Sequence, residues 1–480
     1  MKKIYIMMML VLTGTMTLAQ TSVWHGGRAI WAHGTGTEGD PILIESADNL
    51  AYLAYVVNKG YDTKDLYFRL TTDIDLNGSA DLQWTPIGCG TGGKWFSEDG
   101  CFRGFPSYGS FYDGVIPSFH GHFDGGEHSI SNIYIDNSEG FYVNDIGLFG
   151  MAEGIREGGE TYPAVIENVF VTSGYLKGIN CGGIVGNANR TTLVSRCWNG
   201  ATIEGVVGEM ITCCLGGIVG QNAYQVKNCY NVGDVSGYYA GGIVGFGNSG
   251  TVEIEECYNE GNIIGTYAGG IFGFSRQTKV VINNCYNLGN IDADGSALSS
   301  SPAGPTAAGI ASFIWRGRDG SITNCYNVGA ISSTREAGCI MAYSTDITLE
   351  NNHYINTCDA GGEGTPQTED VMQSQAFVDL LNGQNEVHVW ALDVSHTNGG
   401  FPILTTIDLS VPEITRPSFN VYPNPAQGCF TVEGKGQMTI TNILGQMVMR
   451  SEIDGKGTFA LSKGMYFITL NGKTQKIVVE

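Results

Sequence analysis

Five Cys-aromatic-Asn triplets recur along the chain, at Cys197-Trp198-Asn199, Cys229-Tyr230-Asn231, Cys257-Tyr258-Asn259, Cys285-Tyr286-Asn287 and Cys325-Tyr326-Asn327. Thiols at regular spacing can form disulfides, ligate a metal or pack as small apolar groups. Rings at regular spacing can stack on sugars or on peptide side chains. If each Cys faces a core, its neighbour faces out. Trp198, Tyr230, Tyr258, Tyr286 and Tyr326 would then form an exposed binding ladder. Alternatively the rings stack on one another or enter the core.

The thirteen cysteines are an odd number, so in an exported chain at least one is unpaired or pairs elsewhere. Stacked repeat cysteines would lie within Cα range of a bridge, but their Cβ vectors would run parallel. A buried thiol ladder is therefore expected there. Cys89 with Cys101, and Cys339 with Cys358, are the candidate disulfides. No Cys-x-x-Cys pair occurs, which removes the usual zinc and redox signatures.

His120, His122, Asp124 and His128 form the one histidine cluster. On a strand, His120 and His122 share a face, as a metal site would require; otherwise Phe119, Gly121 and Phe123 face the core and the imidazoles are solvated. Asp73-x-Asp75-x-Asn77-Gly78 resembles the start of a calcium loop, but its twelfth position is Trp84, where a bidentate Glu is needed. Structural calcium on Asp73 and Asp75 is the remaining cofactor expectation; a plain turn is the simpler one. Catalytic signatures such as Gly-x-Ser-x-Gly, His-Glu-x-x-His and phosphate-binding Gly loops are absent. Acidic residues of the repeats, such as Glu204, Asp234 and Glu260, fall at different offsets and make no recurrent pair. The chain is expected not to be an enzyme.

What must position these residues is a repeat. A Gly box, Gly182-Gly-Ile-Val-Gly186, returns at 216–220, 241–245 and 269–273, with a worn copy at Ala308. It interleaves with the Cys triplets. Three residues before each Cys stands Val194, Val226, Ile254, Ile282 or Ile322; six residues after stands Ile203, Val235, Ile263, Ile291 or Ile331. All are β-branched, which favours strands. The two sets are nine apart, so a corner must separate them, near Asn228, Asn284 and Asn324. Short strands with one set of corners per period describe an all-β parallel β-helix solenoid with short capping helices.

Flanking segments complete the organisation. Residues 1–19 read as a signal peptide, with Lys2, Lys3, an apolar run and a small-residue cleavage site. A leader spans 20–36. Residues 37–150 form an N-terminal cap and first coils, with a helix capped by Ser46 and ended by Gly60. Repeat coils occupy 151–358, and 359–404 form a C-terminal cap with one helix carrying Met372, Ala376, Phe377, Leu380 and Leu381 on one face. A linker, 405–417, leads to a small antiparallel β-sandwich at 418–480. The mature chain holds no segment apolar enough to span a bilayer. With 25 basic against 47 acidic residues and a net charge of −22, nucleic acid is an unsuited partner.

Two resemblances follow from these motifs. The Gly boxes alternating with Asn-Cys-Tyr-Asn-x-Gly, preceded by Gly39-Asp-Pro-Ile-Leu-Ile44, Trp84-Thr-Pro-Ile-Gly88 and Phe123-Asp-Gly-Gly126, resemble GLUG-motif repeats of bacterial surface proteins. That family implies a β-helical, adhesin-like module without established catalytic residues. Residues 418–480, with Val421-Tyr-Pro-Asn-Pro425, Ile443-Leu-Gly445, Gly464-Met-Tyr466 and Lys476-Ile-Val-Val479, resemble the type A sorting domain of the type IX secretion system of Bacteroidota. The resemblance implies handling by the type IX machinery and an outer-membrane surface or extracellular location. The function expected is therefore adhesion, through a glycan or a host or cell-surface protein. A polysaccharide-active β-helix enzyme or a structural stalk are the alternatives.

Overall fold

The computed structural model describes residues 21–89, 117–138, 145–189, 191–206, 213–248, 250–293, 304–383, 388–405, 420–422, 428–442, 447–470 and 473–479. The signal segment 1–19, Cys101, all but the first residue of the linker, and most of the Val421–Pro425 and Ile443–Gly445 motifs lie outside the described residues. The chain divides into two compact units, 1–407 and 408–480.

The first unit is a parallel β-helix. Among the described residues most of its strands fall into four long sheets, of eleven, ten, twelve and seven strands, all paired in parallel between successive coils; two short antiparallel pairs, 155–157 with 160–162 and 390–391 with 403–404, lie apart. One coil shows the plan. Thr251–Glu255 lies in the ten-stranded sheet, Tyr258–Asn259 in the eleven-stranded, Ile263–Gly269 in the twelve-stranded and Phe272–Arg276 in the seven-stranded. The next coil repeats the plan in register, Ile254 against Ile282 and Tyr258 against Tyr286.

The corner before each Cys is a left-handed residue. Arg196, Asn228, Glu256, Asn284 and Asn324 have φ between 49° and 54°. Asn adopts this region more readily than most residues, which explains its use at three of the five corners. The corner lets both aliphatic sets face inward. Nine of the ten residues are at most 1% exposed, and Ile331, in the last repeat, is partly buried against the same core.

The solenoid is longer than the repeats. Residues 20–36, read above as a leader, supply a strand at Ser22–Val23 that pairs with Ile74–Asp75, and Trp24 is buried. The motif had no recognisable copy there, so the coil was invisible to spacing. At the other end Thr365–Gln367 still pairs with His353–Ile355.

Helix α1, Ala47–Asn58, follows the first strand of the ten-stranded sheet and buries Leu50, Leu53, Ala54 and Val57. The Ser46 side chain accepts from the Asn49 amide, and Gly60 has φ 82°, the cap and stop expected. The C-terminal cap differs from expectation: it has two helices, α2, Glu369–Met372, and α3, Gln375–Asn382. Ser374 breaks the run by capping α3 through the Phe377 amide, and Leu380, expected on the apolar face, is 45% exposed. Cys339 and Cys358 are joined by a disulfide, with Cα atoms 6.1 Å apart.

The second unit is antiparallel. Among the described residues its strands make one five-stranded sheet rather than two facing ones. Two 14-residue strands, Cys429–Asn442 and Met447–Ala460, run its length, around a core that includes Phe430, Val432, Ile440 and Ile468.

Candidate functional site

The expected aromatic ladder exists but is closed. Trp198, Tyr230, Tyr258, Tyr286 and Tyr326 stack at centroid spacings of 5.5, 4.8, 4.7 and 4.9 Å, with planes 3–6° apart. Stacking hides the faces a sugar would need. Tyr230 alone remains partly exposed; Tyr326 is fully buried. The C-terminal cap covers one end. Trp390 packs on Tyr286 and Tyr326, and its indole N–H donates to Asn284 Oδ1. The Tyr326 hydroxyl donates to the Pro402 carbonyl at 2.6 Å. Tyr286 and Tyr326 hold the cap rather than present a surface.

On either side of each ring the Cys and Asn side chains point inward. The Asn residues form an amide ladder: each Nδ2, from Asn199 to Asn287, donates to the Oδ1 of the next at 2.8 Å. Each, Asn327 included, also donates to the carbonyl two residues on. The second Gly of each box explains the interleaving of the two motifs. A Cβ at Gly217, Gly242 or Gly270 would lie 2.3–2.5 Å from the Cγ of Asn231, Asn259 or Asn287 in the next coil. The repeat cysteines are reduced and fully buried. Their backbone N–H groups meet the next sulfur at 3.4 Å in the pairs Cys197–Cys229, Cys229–Cys257 and Cys285–Cys325.

The metal candidates are committed to coil-to-coil contacts. His120 bonds Ser118 and Asp62, and His122 bonds Glu167 at 2.6 Å. Phe119 and Phe123 fill the core between them. Asp73 accepts from the Ser129 amide; Asp75 accepts from the Asn77 amide and the Asn132 side chain. Among the described residues no group of three His, Cys, Asp or Glu side chains could hold a metal ion. Cys89 is buried; its candidate partner Cys101 lies outside the described residues.

A second aromatic stack lies on another face. In the coil holding Phe272, residues 272 and 274 have the same strand parity yet face opposite ways. Phe272 belongs to the main core and Phe274 to a separate outer cluster. Gly273 stands between them, and a Cβ there would sit 2.6 Å from the Gly245 carbonyl oxygen. The Gly at the fifth position of the box thus permits a kink that turns the next side chain outward. Phe246, Phe274, Phe313 and Tyr343 occupy that position in four successive coils. They stack at 5.8, 5.0 and 4.5 Å. Tyr239 joins from the neighbouring sheet, 4.2 Å from Phe274, and its burial pushes its phenol well above the ordinary range.

These rings line a groove of about 890 Å³ with Trp315, the amides Asn180, Gln221 and Asn248, and the charged Arg276, Arg335 and Glu336. Tyr343 ends the stack and is 38% exposed. Trp315 has Arg276 at 5.3 Å and Arg316 at 4.7 Å from its ring. An adjoining polar groove of about 660 Å³ shares Asn248 and adds Asn222, Tyr224 and Arg156. The sequence carried a signal for this face: the residue after each Gly box changes from Asn187 and Gln221 to three Phe.

Residues 420–480 match the family described as the secretion system C-terminal sorting domain. The match supports a type IX sorting tail and, with it, a secreted or surface protein. A protein of Evansella cellulosilytica, provisionally named a Gly-rich membrane protein, is 28% identical over 158 residues. The match covers 32% of this chain and only 14% of that protein. Among the described residues no helix is long and apolar enough to cross a membrane. No solved structure matches the chain significantly.

Proposed function

We propose that this is a non-catalytic binding protein of the bacterial surface, exported by the type IX machinery and adhering through the aromatic groove to a glycan or to a protein of another surface. The observation that carries the reading is the outer stack ending in Tyr343, with Trp315 and neutral amides lining the same groove. Convergent aromatic and amide side chains on a preformed scaffold are what saccharide and protein recognition use. The resemblance to GLUG-repeat, adhesin-like proteins and the sorting tail support the same reading. Glycan and surface-protein arrays probed with the exported chain test it: a ligand retained on the array supports adhesion, and silence on both contradicts it. Release of reducing ends from a polysaccharide panel would instead favour the enzyme reading.

A further inference from the structure

Arg276 and Arg335 are both exposed and line the groove. Among the described residues neither forms an ion pair with a carboxylate, although the chain carries 47 acidic against 25 basic residues. One carboxylate, Glu336, shares the groove with them, and Arg316 lies against Trp315 beside it. In so acidic a chain, two guanidiniums with no carboxylate partner among the described residues, along one aromatic groove, are a local reversal of sign. Remote carboxylates are screened beyond roughly 8 Å at physiological salt, so the local sign governs contact.

From this we infer that the groove binds an anionic polysaccharide, one bearing carboxylate or sulfate groups. The inference rests on the proposed reading of the groove as the binding surface. Three features favour a glycan over an acidic peptide. The polar liners Asn180, Gln221 and Asn248 are neutral amides, able both to donate to and accept from hydroxyl groups. Tyr343, 38% exposed, is the open ring at the end of the stack, and an aromatic face takes the C–H face of a pyranose. The backbone beneath is already paired between coils, so an extended peptide would find no main-chain partners there. Arg276 ends a strand of the seven-stranded sheet and Arg335 precedes a strand of the twelve-stranded sheet, so the two cations reach the groove from different sheets. Each guanidinium presents a fork of donors suited to carboxylate or sulfate.

Calorimetric titration of the full exported chain decides the matter with four probes: hexagalacturonate, a sulfated galactan fragment, a neutral hexasaccharide of the same backbone, and poly-glutamate. The expected result is binding of one or both anionic glycans that weakens with added salt. The neutral hexasaccharide and poly-glutamate should bind at least about 10-fold less tightly. The exposed substitutions R276Q and R335Q together should weaken the anionic glycan by roughly 10-fold or more and flatten its salt dependence, as the loss of two charge-assisted contacts requires. Equal binding of the neutral hexasaccharide, no effect of the Arg substitutions, or preference for poly-glutamate would overturn the inference. Neutral binding that is lost in W315A would overturn it while leaving the groove as the binding surface. If no probe binds and W315A leaves every array ligand in place, both the inference and the proposed function fail.

Discussion

The ring of Phe274 lies 5.0 Å from that of Phe313, with planes 5° apart, although 39 residues of chain separate them. The contact exists because both residues follow a Gly box and successive boxes pair in register, Phe272 against Ala311 and Phe274 against Phe313. In a parallel β-helix a side chain's neighbour is its counterpart in the next coil. A substitution repeated at one position of the period therefore becomes a continuous surface. Three consecutive Phe at the sixth position turn an otherwise polar face into a groove.

The interior amide ladder should dominate local stability. Replacing Asn259 by Ala removes its bonds to Asn287 and Gly261 and takes from the buried Asn231 amide one of its two acceptors. Unpaired buried polar groups cost about 1–3 kcal/mol each, so N259A should lower the urea midpoint by an amount worth roughly 3 kcal/mol. Gly242→Ala should be at least as damaging, because its Cβ would lie 2.0 Å from the Gly270 carbonyl oxygen. Equilibrium unfolding by circular dichroism checks both; midpoints matching the wild type would contradict the ladder's role.

The repeat thiols should be chemically silent in the folded protein. Burial raises the pKa of Cys197, Cys229, Cys257 and Cys285 well above the ordinary thiol range, so the reactive thiolate is scarce. Each also donates to the carbonyl two residues before it, as Cys197 does to Ser195 at 3.1 Å. Alkylation followed by mass spectrometry at pH 8 should label these four only after denaturation. Labelling within minutes under native conditions would mean that the coils open.

How far the sequence led is clearest from two sets of residues. The aliphatic positions around each Cys, the Asn corners and the α1 caps were legible because β-branching, left-handed propensity and capping chemistry act within a few residues. The role of Tyr286 and Tyr326 was not, since what covers them is Trp390, contributed by a cap 64 residues beyond Tyr326. Spacing carries no information about such a contact. The groove was readable only in hindsight of the kink at Gly273, because strict alternation would have placed Phe274 inside with Phe272.

Acid should loosen the N-terminal coils through Glu167. Its hydrogen bond from His122, at 2.6 Å, lowers its pKa, with Arg196 adding to the effect. A carboxylate whose folded pKa is depressed adds stability above its unfolded pKa, about 4.3, and that stability is lost as pH falls through the lower folded value. E167Q should therefore be less stable than wild type at pH 7, with the gap closing below about pH 4. Thermal melts across that range measure it, and a gap that stays constant with pH would refute the assignment.

The Cys339–Cys358 bond closes a 19-residue loop over the last coils. On the chain-entropy account such a loop is worth about 3 kcal/mol. The double substitution C339S/C358S should lower the unfolding midpoint accordingly while leaving the Phe246–Phe313 stack intact. A midpoint equal to that of the wild type would show the bridge to be energetically idle.

The most direct test compares the two aromatic ladders. For any ligand the exported chain retains, affinity should be measured for the groove variant W315A/Y343A and for Y230A, which alters the most exposed ring of the covered ladder. The account predicts a loss of roughly 30-fold or more for the groove variant, about 2 kcal/mol, with an unchanged circular dichroism spectrum, and little change for Y230A. Full affinity in W315A/Y343A, or a loss confined to Y230A, would contradict it.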